Sequence, residues 1–196
     1  MTDKTDHNIN TEEAAEFLRN HLRRPVVLMG MMGVGKTAVG RKLADRLGFD
    51  FKDSDRIVEE KAGRSVTEIF DTDGEEKFRQ AERNSILEVL SSGPCVLATG
   101  GGAVMNAETR KAIKSKGLSV WLKLDLANIV RRLENADDRP LLKKGDPKKI
   151  LQDLMSAREQ LYAEADIHLE SQDGKASETV GALINSLYAH VKNDTV

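Results

Sequence analysis

An unbroken apolar run, VVLM at residues 26–29, opens directly into GMMGVGKT at 30–37, and a helical pattern, KTAVGRKLADRL, follows at once. An apolar run without alternation suits a strand buried on both faces, as in a parallel sheet. The string after it fits G-x-x-x-x-G-K-[S/T], whose glycines let backbone N–H groups turn inward around phosphate oxygens. The helix that follows aims its positive end at the same anion. Strand, glycine loop and helix in this order predict a phosphate-binding P-loop at the carboxyl edge of a parallel sheet. On this reading Gly33, Val34, Gly35, Lys36, Thr37 and Ala38 bind ATP. Lys36 sets a charge on the β- and γ-phosphates, and Thr37 offers its hydroxyl to Mg²⁺. The alternative is an ordinary glycine-rich turn, and the strand and helix on either side argue against it.

The rest of the chain repeats the alternation. Strands are predicted at 49–55, 94–102, 118–124 and 166–170. Helices are predicted at 36–47, from Ser65 to about Phe70, at 74–92, at 106–116, from Asp125 to about Glu134, at 149–163 and at 178–190. Gly48, Asn106 and Asp125 supply stop and cap signals. Five strands alternating with helices predict an α/β fold, a three-layer α/β/α sandwich around a five-stranded parallel sheet of the P-loop NTPase type. Ahead of it, Asn10 caps an amphipathic helix in TEEAAEFLRNHL, so residues 1–24 read as a tail and helix extension on one domain at 25–190. Residues 135–148 combine charge with Pro140, Gly145 and Pro147, which predicts a loop, taken as a lid.

Composition narrows the function. Lys plus Arg number 30 against 32 for Asp plus Glu, a net charge of −2, so no basic field points to nucleic acid. The longest apolar stretch, 26–32, is too short to span a bilayer. One cysteine, Cys95, excludes an internal disulfide. The four histidines show no metal spacing, and the Lys-rich stretch 143–149 is interspersed with acids and reads as solvated. A soluble, cytoplasmic protein that meets neither membrane nor nucleic acid is expected.

Among P-loop proteins, a guanine-specific switch needs an N-K-x-D segment after a late strand, and none is present. A motor ATPase calls for a longer chain and an apolar strand ending in Asp-Glu. Here the third strand ends in TGGG at 99–102, which offers backbone N–H groups to a ligand and favours a small-molecule kinase. Asp53 and Asp55, two apart at a strand end, are expected to point to the same side. Asp53 then serves Mg²⁺ through water, and Asp55 accepts from an acceptor hydroxyl as a catalytic residue. Arg79 and Glu82 share one helix face, so Glu82 can orient Arg79 toward an acidic group. Arg158 in SAREQLY is a further isolated arginine, and a pair of arginines matches a carboxylate.

GMMGVGKT, DSD at 53–55, FRQAE at 78–82, TGGG at 99–102, RPLL at 139–142 and REQLYAEA at 158–165 occur in that order and together resemble shikimate kinase, a nucleoside-monophosphate-kinase-like family. The resemblance covers about residues 25–190. It implies transfer of the γ-phosphate of ATP to the 3-hydroxyl of shikimate, with Mg²⁺, in the pathway to chorismate and the aromatic amino acids. It also implies that Asp55, Arg79, Gly101 and Arg158 hold shikimate. Arg139, on the lid, is implied to reach the ATP phosphates as a catalytic residue, Arg132 to stack on adenine, and Lys175 to stand in the adenine-side loop where an arginine is common. A monomer is expected. Two alternatives stay open: a kinase for another small hydroxy acid such as gluconate, and a nucleotide-binding regulatory module.

Overall fold

The computed structural model describes residues 10–133, 145–171 and 176–194. Five parallel strands form one sheet: β1 (Val26–Met29), β2 (Phe51–Asp53), β3 (Val96–Ala98), β4 (Leu118–Lys123) and β5 (Ile167–Glu170), in the order β2-β3-β1-β4-β5. In β1, Leu28 lies opposite Ala98 on one side and Val120 on the other. Every residue of β1 and β3 is buried, as expected for inner strands covered on both faces.

Two helical layers cover the sheet. One contains α1 (Thr11–His21), α2 (Lys36–Leu47) and α9 (Ala176–Asp194), which pack on one another. The other joins α5 (Glu75–Val89), α6 (Ala107–Lys116), a 3₁₀ turn at Ala103–Met105 and α8 (Pro147–Tyr162). α7 (Leu126–Leu133) packs against α8. α3 (Ser54–Ala62) and α4 (Val66–Asp73) pack on α5 around a satellite core of Val58, Ile69 and Phe78. The main core is aliphatic and continuous from α1 across the sheet to α8 and α9.

Caps read from the sequence are in place. The Asn10 side chain accepts from the Glu12 N–H, Ser65 and Glu68 form a complete capping box, and Gly48 ends α2 in the left-handed region at φ 66. Several boundaries differ from the sequence reading: β3, expected over 94–102, spans only Val96–Ala98, and α5, expected over 74–92, spans Glu75–Val89. The second strand stops at Asp53, because Ser54 already begins a helix that the sequence reading left out. α4 continues past Phe70 to Asp73. α8 starts at Pro147, not 149, since Asp146 caps it and proline suits the first helical position. α9 runs from Ala176 to Asp194, beyond the expected 178–190.

Candidate active site

The phosphate loop bends where glycine permits it: Gly30, Gly33 and Gly35 take φ of 143, 80 and 97. Val34 is buried, while Thr37 and Ala38, in the first turn of α2, are exposed. Gly35 caps α2 through its backbone, so the first N–H groups of that helix face the loop. The Lys36 ammonium folds back over the loop and donates to the carbonyls of Gly30 and Met31, each at 2.9 Å. From α7, Arg132 Nη1 donates to the Gly33 carbonyl at 3.0 Å, which puts a guanidinium beside the loop.

Asp53 and Asp55 do come together, but not as two residues of a strand. Asp53 is the N-cap of α3, and its Oδ1 accepts from the Asp55 N–H at 3.1 Å. Its Oδ2 accepts from the Thr37 hydroxyl at 2.9 Å. The pair is therefore related by a capping turn, in which the Asp53 carboxylate bonds the Thr37 hydroxyl and the Asp55 N–H. The sequence expectation of a shared strand face is corrected on that ground.

Asp55 Oδ1 is out of solvent and has no hydrogen-bond partner among the described residues. Burial, then the nearby Glu82 and Asp53 carboxylates, push its pKa up to about 7 against the pull of Lys36 and Arg79. Glu82, on α5, is 1% exposed and accepts from Arg79 Nη1 at 2.7 Å. Burial opposes the charge on Arg79, but Glu82 and Glu75 more than offset it and raise its pKa. The guanidinium lies 5.2 Å from the Phe78 ring centre and 5.9 Å from that of Phe70, so the satellite core orients it.

The glycines after β3 bring these groups together. The Gly100 N–H donates to Ser54 Oγ at 3.0 Å, and the Ser54 hydroxyl donates to Glu82 Oε1 at 3.4 Å. A Cβ on Gly102 would stand 2.6 Å from the Arg79 guanidinium carbon, so only glycine lets that arginine cross the turn. The Gly101 carbonyl accepts from Arg158 Nη1 at 3.1 Å. Arg158 is 5% exposed, although its polar local sequence suggests a solvated helix face. Arg79, Glu82, Gly102 and Arg158 line a cavity of about 420 Å³ together with Arg83 and Asn106. A larger cavity, about 530 Å³, opens at the β2 edge over Phe51, Lys52 and Arg56.

Of the residues singled out in the sequence, Lys36, Thr37, Asp53, Asp55, Arg79, Gly101, Arg132 and Arg158 thus converge at the carboxyl end of the sheet. Arg139 and Lys175 lie outside the described residues, as does the expected lid apart from residues 145–148. Ser54 escaped the sequence reading; its only signal was its place between two aspartates. Among the described residues no cluster of three His, Cys, Asp or Glu side chains forms a ready metal cage, and no helix is long and apolar enough to cross a membrane.

Comparison with known proteins bears on the family. The chain is 49% identical over 164 residues to a shikimate kinase of Caulobacter vibrioides, covering 84% of this chain and 82% of that one. It is 42% identical over 191 residues to a shikimate kinase of Brucella canis, covering 97% and 96%. The solved structure of shikimate kinase from Acinetobacter baumannii in complex with shikimate superposes with a TM-score of 0.85 at 34% identity, covering 90% of this chain and 98% of that one. A gluconokinase from Sinorhizobium meliloti, at 18% identity and a TM-score of 0.57, shares the fold. The family profile described as shikimate kinase matches residues 32–188, and the chain belongs to the shikimate kinase family of phosphotransferases.

Proposed function

We propose that this chain transfers the γ-phosphate of ATP to the 3-hydroxyl of shikimate, a cyclohexene carboxylate with three hydroxyls, as a monomer in the cytoplasm. ATP phosphates lie against residues 33–38, with Lys36 bridging the β- and γ-phosphates. Arg132 borders the adenine side. Arg139 and Lys175 are assigned to the nucleotide on motif resemblance alone. The shikimate carboxylate meets Arg79 and Arg158, its ring lies over the Gly101 turn, and its reacting hydroxyl faces Asp55.

The donor set at Thr37 and Asp53 fits Mg²⁺: a hydroxyl and a carboxylate oxygen 2.9 Å apart are hard oxygen ligands, few enough for an ion that keeps most of its waters. When bound, Mg²⁺ would neutralise charge on the phosphates. The chain's own residues do the rest. Lys36, held at the loop by the carbonyls of Gly30 and Met31, accompanies the moving phosphoryl group. Asp55 accepts a hydrogen bond from the reacting hydroxyl and takes its proton, a role its lone Oδ1 and raised pKa suit. Glu82 holds Arg79 toward the cavity. Catalysis then rests mainly on positioning and on fixed charge.

The observation that carries this reading is that Arg79 and Arg158, remote in sequence, line one cavity with Glu82, whose carboxylate also acts on Asp55. Calorimetry on Arg79→Ala and Arg158→Ala tests it. Truncating one partner of a desolvated charge pair costs about 2–5 kcal/mol, so shikimate affinity is expected to fall at least about 30-fold in each variant, while ATP affinity stays near the parent's. Unchanged shikimate affinity in both variants would exclude a carboxylate clamp at these arginines.

A further inference from the structure

Tyr162 closes α8 one turn after Arg158, on the same helix face. Its side chain is 1% exposed and stacks on Trp121 of β4, with ring centres 5.8 Å apart and planes 23° from parallel. Its hydroxyl donates to the Gly101 carbonyl at 2.5 Å. Burial pushes its pKa up to about 12, so it stays a donor at any ordinary working pH.

The Gly101 carbonyl therefore receives two donors from α8, Tyr162 and Arg158. A carbonyl oxygen has two lone pairs. With the phenol on one, Arg158 has only the other, and spends a single N–H on it. The guanidinium also hydrogen-bonds the Tyr162 hydroxyl, and the remainder of its fork faces the cavity. Without the phenol, the guanidinium could take both lone pairs and settle onto the backbone. Gly101 also marks a junction: a Cβ there would stand 3.2 Å from the Met32 amide nitrogen and 3.4 Å from the Gly30 carbonyl oxygen. The Gly101 peptide thus sits against the phosphate loop, with its carbonyl turned to α8.

We infer that Tyr162 is a positioning residue for the acceptor: its hydroxyl occupies the second lone pair of the Gly101 carbonyl and so keeps the Arg158 fork directed into the cavity. The inference rests on the reading of Arg158 as a ligand of the acceptor carboxylate.

Tyr162→Phe keeps the ring and its stack and removes only the hydroxyl. The full chain is assayed with ATP, Mg²⁺ and shikimate. The KM for shikimate is expected to rise about 5- to 10-fold, as for loss of one buried hydrogen bond, with the KM for ATP within about twofold of the parent. In an Arg158→Ala background the same change should move shikimate KM by less than about twofold, because no guanidinium remains to be directed. Trp121→Phe serves as a packing control: it should lower the melting temperature without the shikimate effect. An equal rise in both KM values, an unchanged shikimate KM, or the same factor with and without Arg158 would overturn the inference. If Arg158→Ala itself leaves shikimate KM unchanged, the functional reading of that arginine fails. If Arg158→Ala raises it and Tyr162→Phe does not, only the role of Tyr162 fails.

Discussion

At Asp55 burial and two neighbouring carboxylates together push the pKa from 3.8 to about 7, and the sign of the consequence for stability is fixed. An unfolded aspartate ionises near 3.8, while the folded one keeps its proton to about 7. Between those values the folded state binds more protons, so stability falls as pH rises. Below the window the penalty is absent, and above it the penalty is complete, on the order of a few kcal/mol. Asp55→Asn, melted without metal or nucleotide, should therefore be more stable than the parent at pH 8, with the difference closing toward pH 4. The same variant should lose phosphoryl transfer while still binding ATP. Parallel melting curves across that range would mean that Asp55 is not held in the environment described. Much at this scale was legible in the sequence. GMMGVGKT carries its own geometry, and the three-residue spacing of Arg79 and Glu82 carries their ion pair. Burial of Arg158 was not legible, because it depends on the Gly101 turn more than fifty residues earlier in the chain rather than on its polar neighbours.

Individual elements show what patterning reveals and what it misses. α3 carries only Ile57 and Val58 as large apolar residues, too few to reveal a helical period, so Asp53 and Asp55 read as the end of a strand. The decisive event is local: the Asp53 side chain accepts from the Asp55 N–H and starts the helix. α1 is the opposite case. Its cap and apolar stripe were legible, yet it lies ahead of residues 32–188 matched by the family profile. It buries Ala14, Ala15 and Leu18 against the layer of α2 and α9, and Phe17 meets Tyr188 of α9 edge-on, with ring centres 5.0 Å apart. Glu12 bonds Arg46 of α2 at 3.1 Å, but both are well exposed, so that pair adds little. α1 thus serves stability rather than chemistry. Leu18→Ala should cost about 2–5 kcal/mol in chemical denaturation, with the KM values for ATP and shikimate unchanged. A large kinetic effect from that substitution would give α1 a role at the site.

Over the whole molecule, alternation of strands and helices made the sandwich and its parallel sheet legible, but not the order β2-β3-β1-β4-β5. Order follows from which crossovers pack, a property of contacts between distant segments. That order sets β3 beside β1, so the TGGG turn after β3 meets the phosphate loop after β1. It sets β2 next, bringing Asp53 to Thr37 and, through Ser54, Glu82 to the Gly100 amide. The site is thus a product of strand order, and the fold alone does not choose the acceptor, since the gluconokinase neighbour shares it. Acceptor choice is therefore set by the side chains of the site rather than by the sheet beneath it. ADP release by the full chain with ATP and Mg²⁺ is measured against shikimate, gluconate and other small hydroxy acids. Turnover is expected to depend on shikimate and to stay near background with the others. Equal or faster turnover with gluconate, or ADP release indifferent to any acceptor, would exclude shikimate as the specific acceptor.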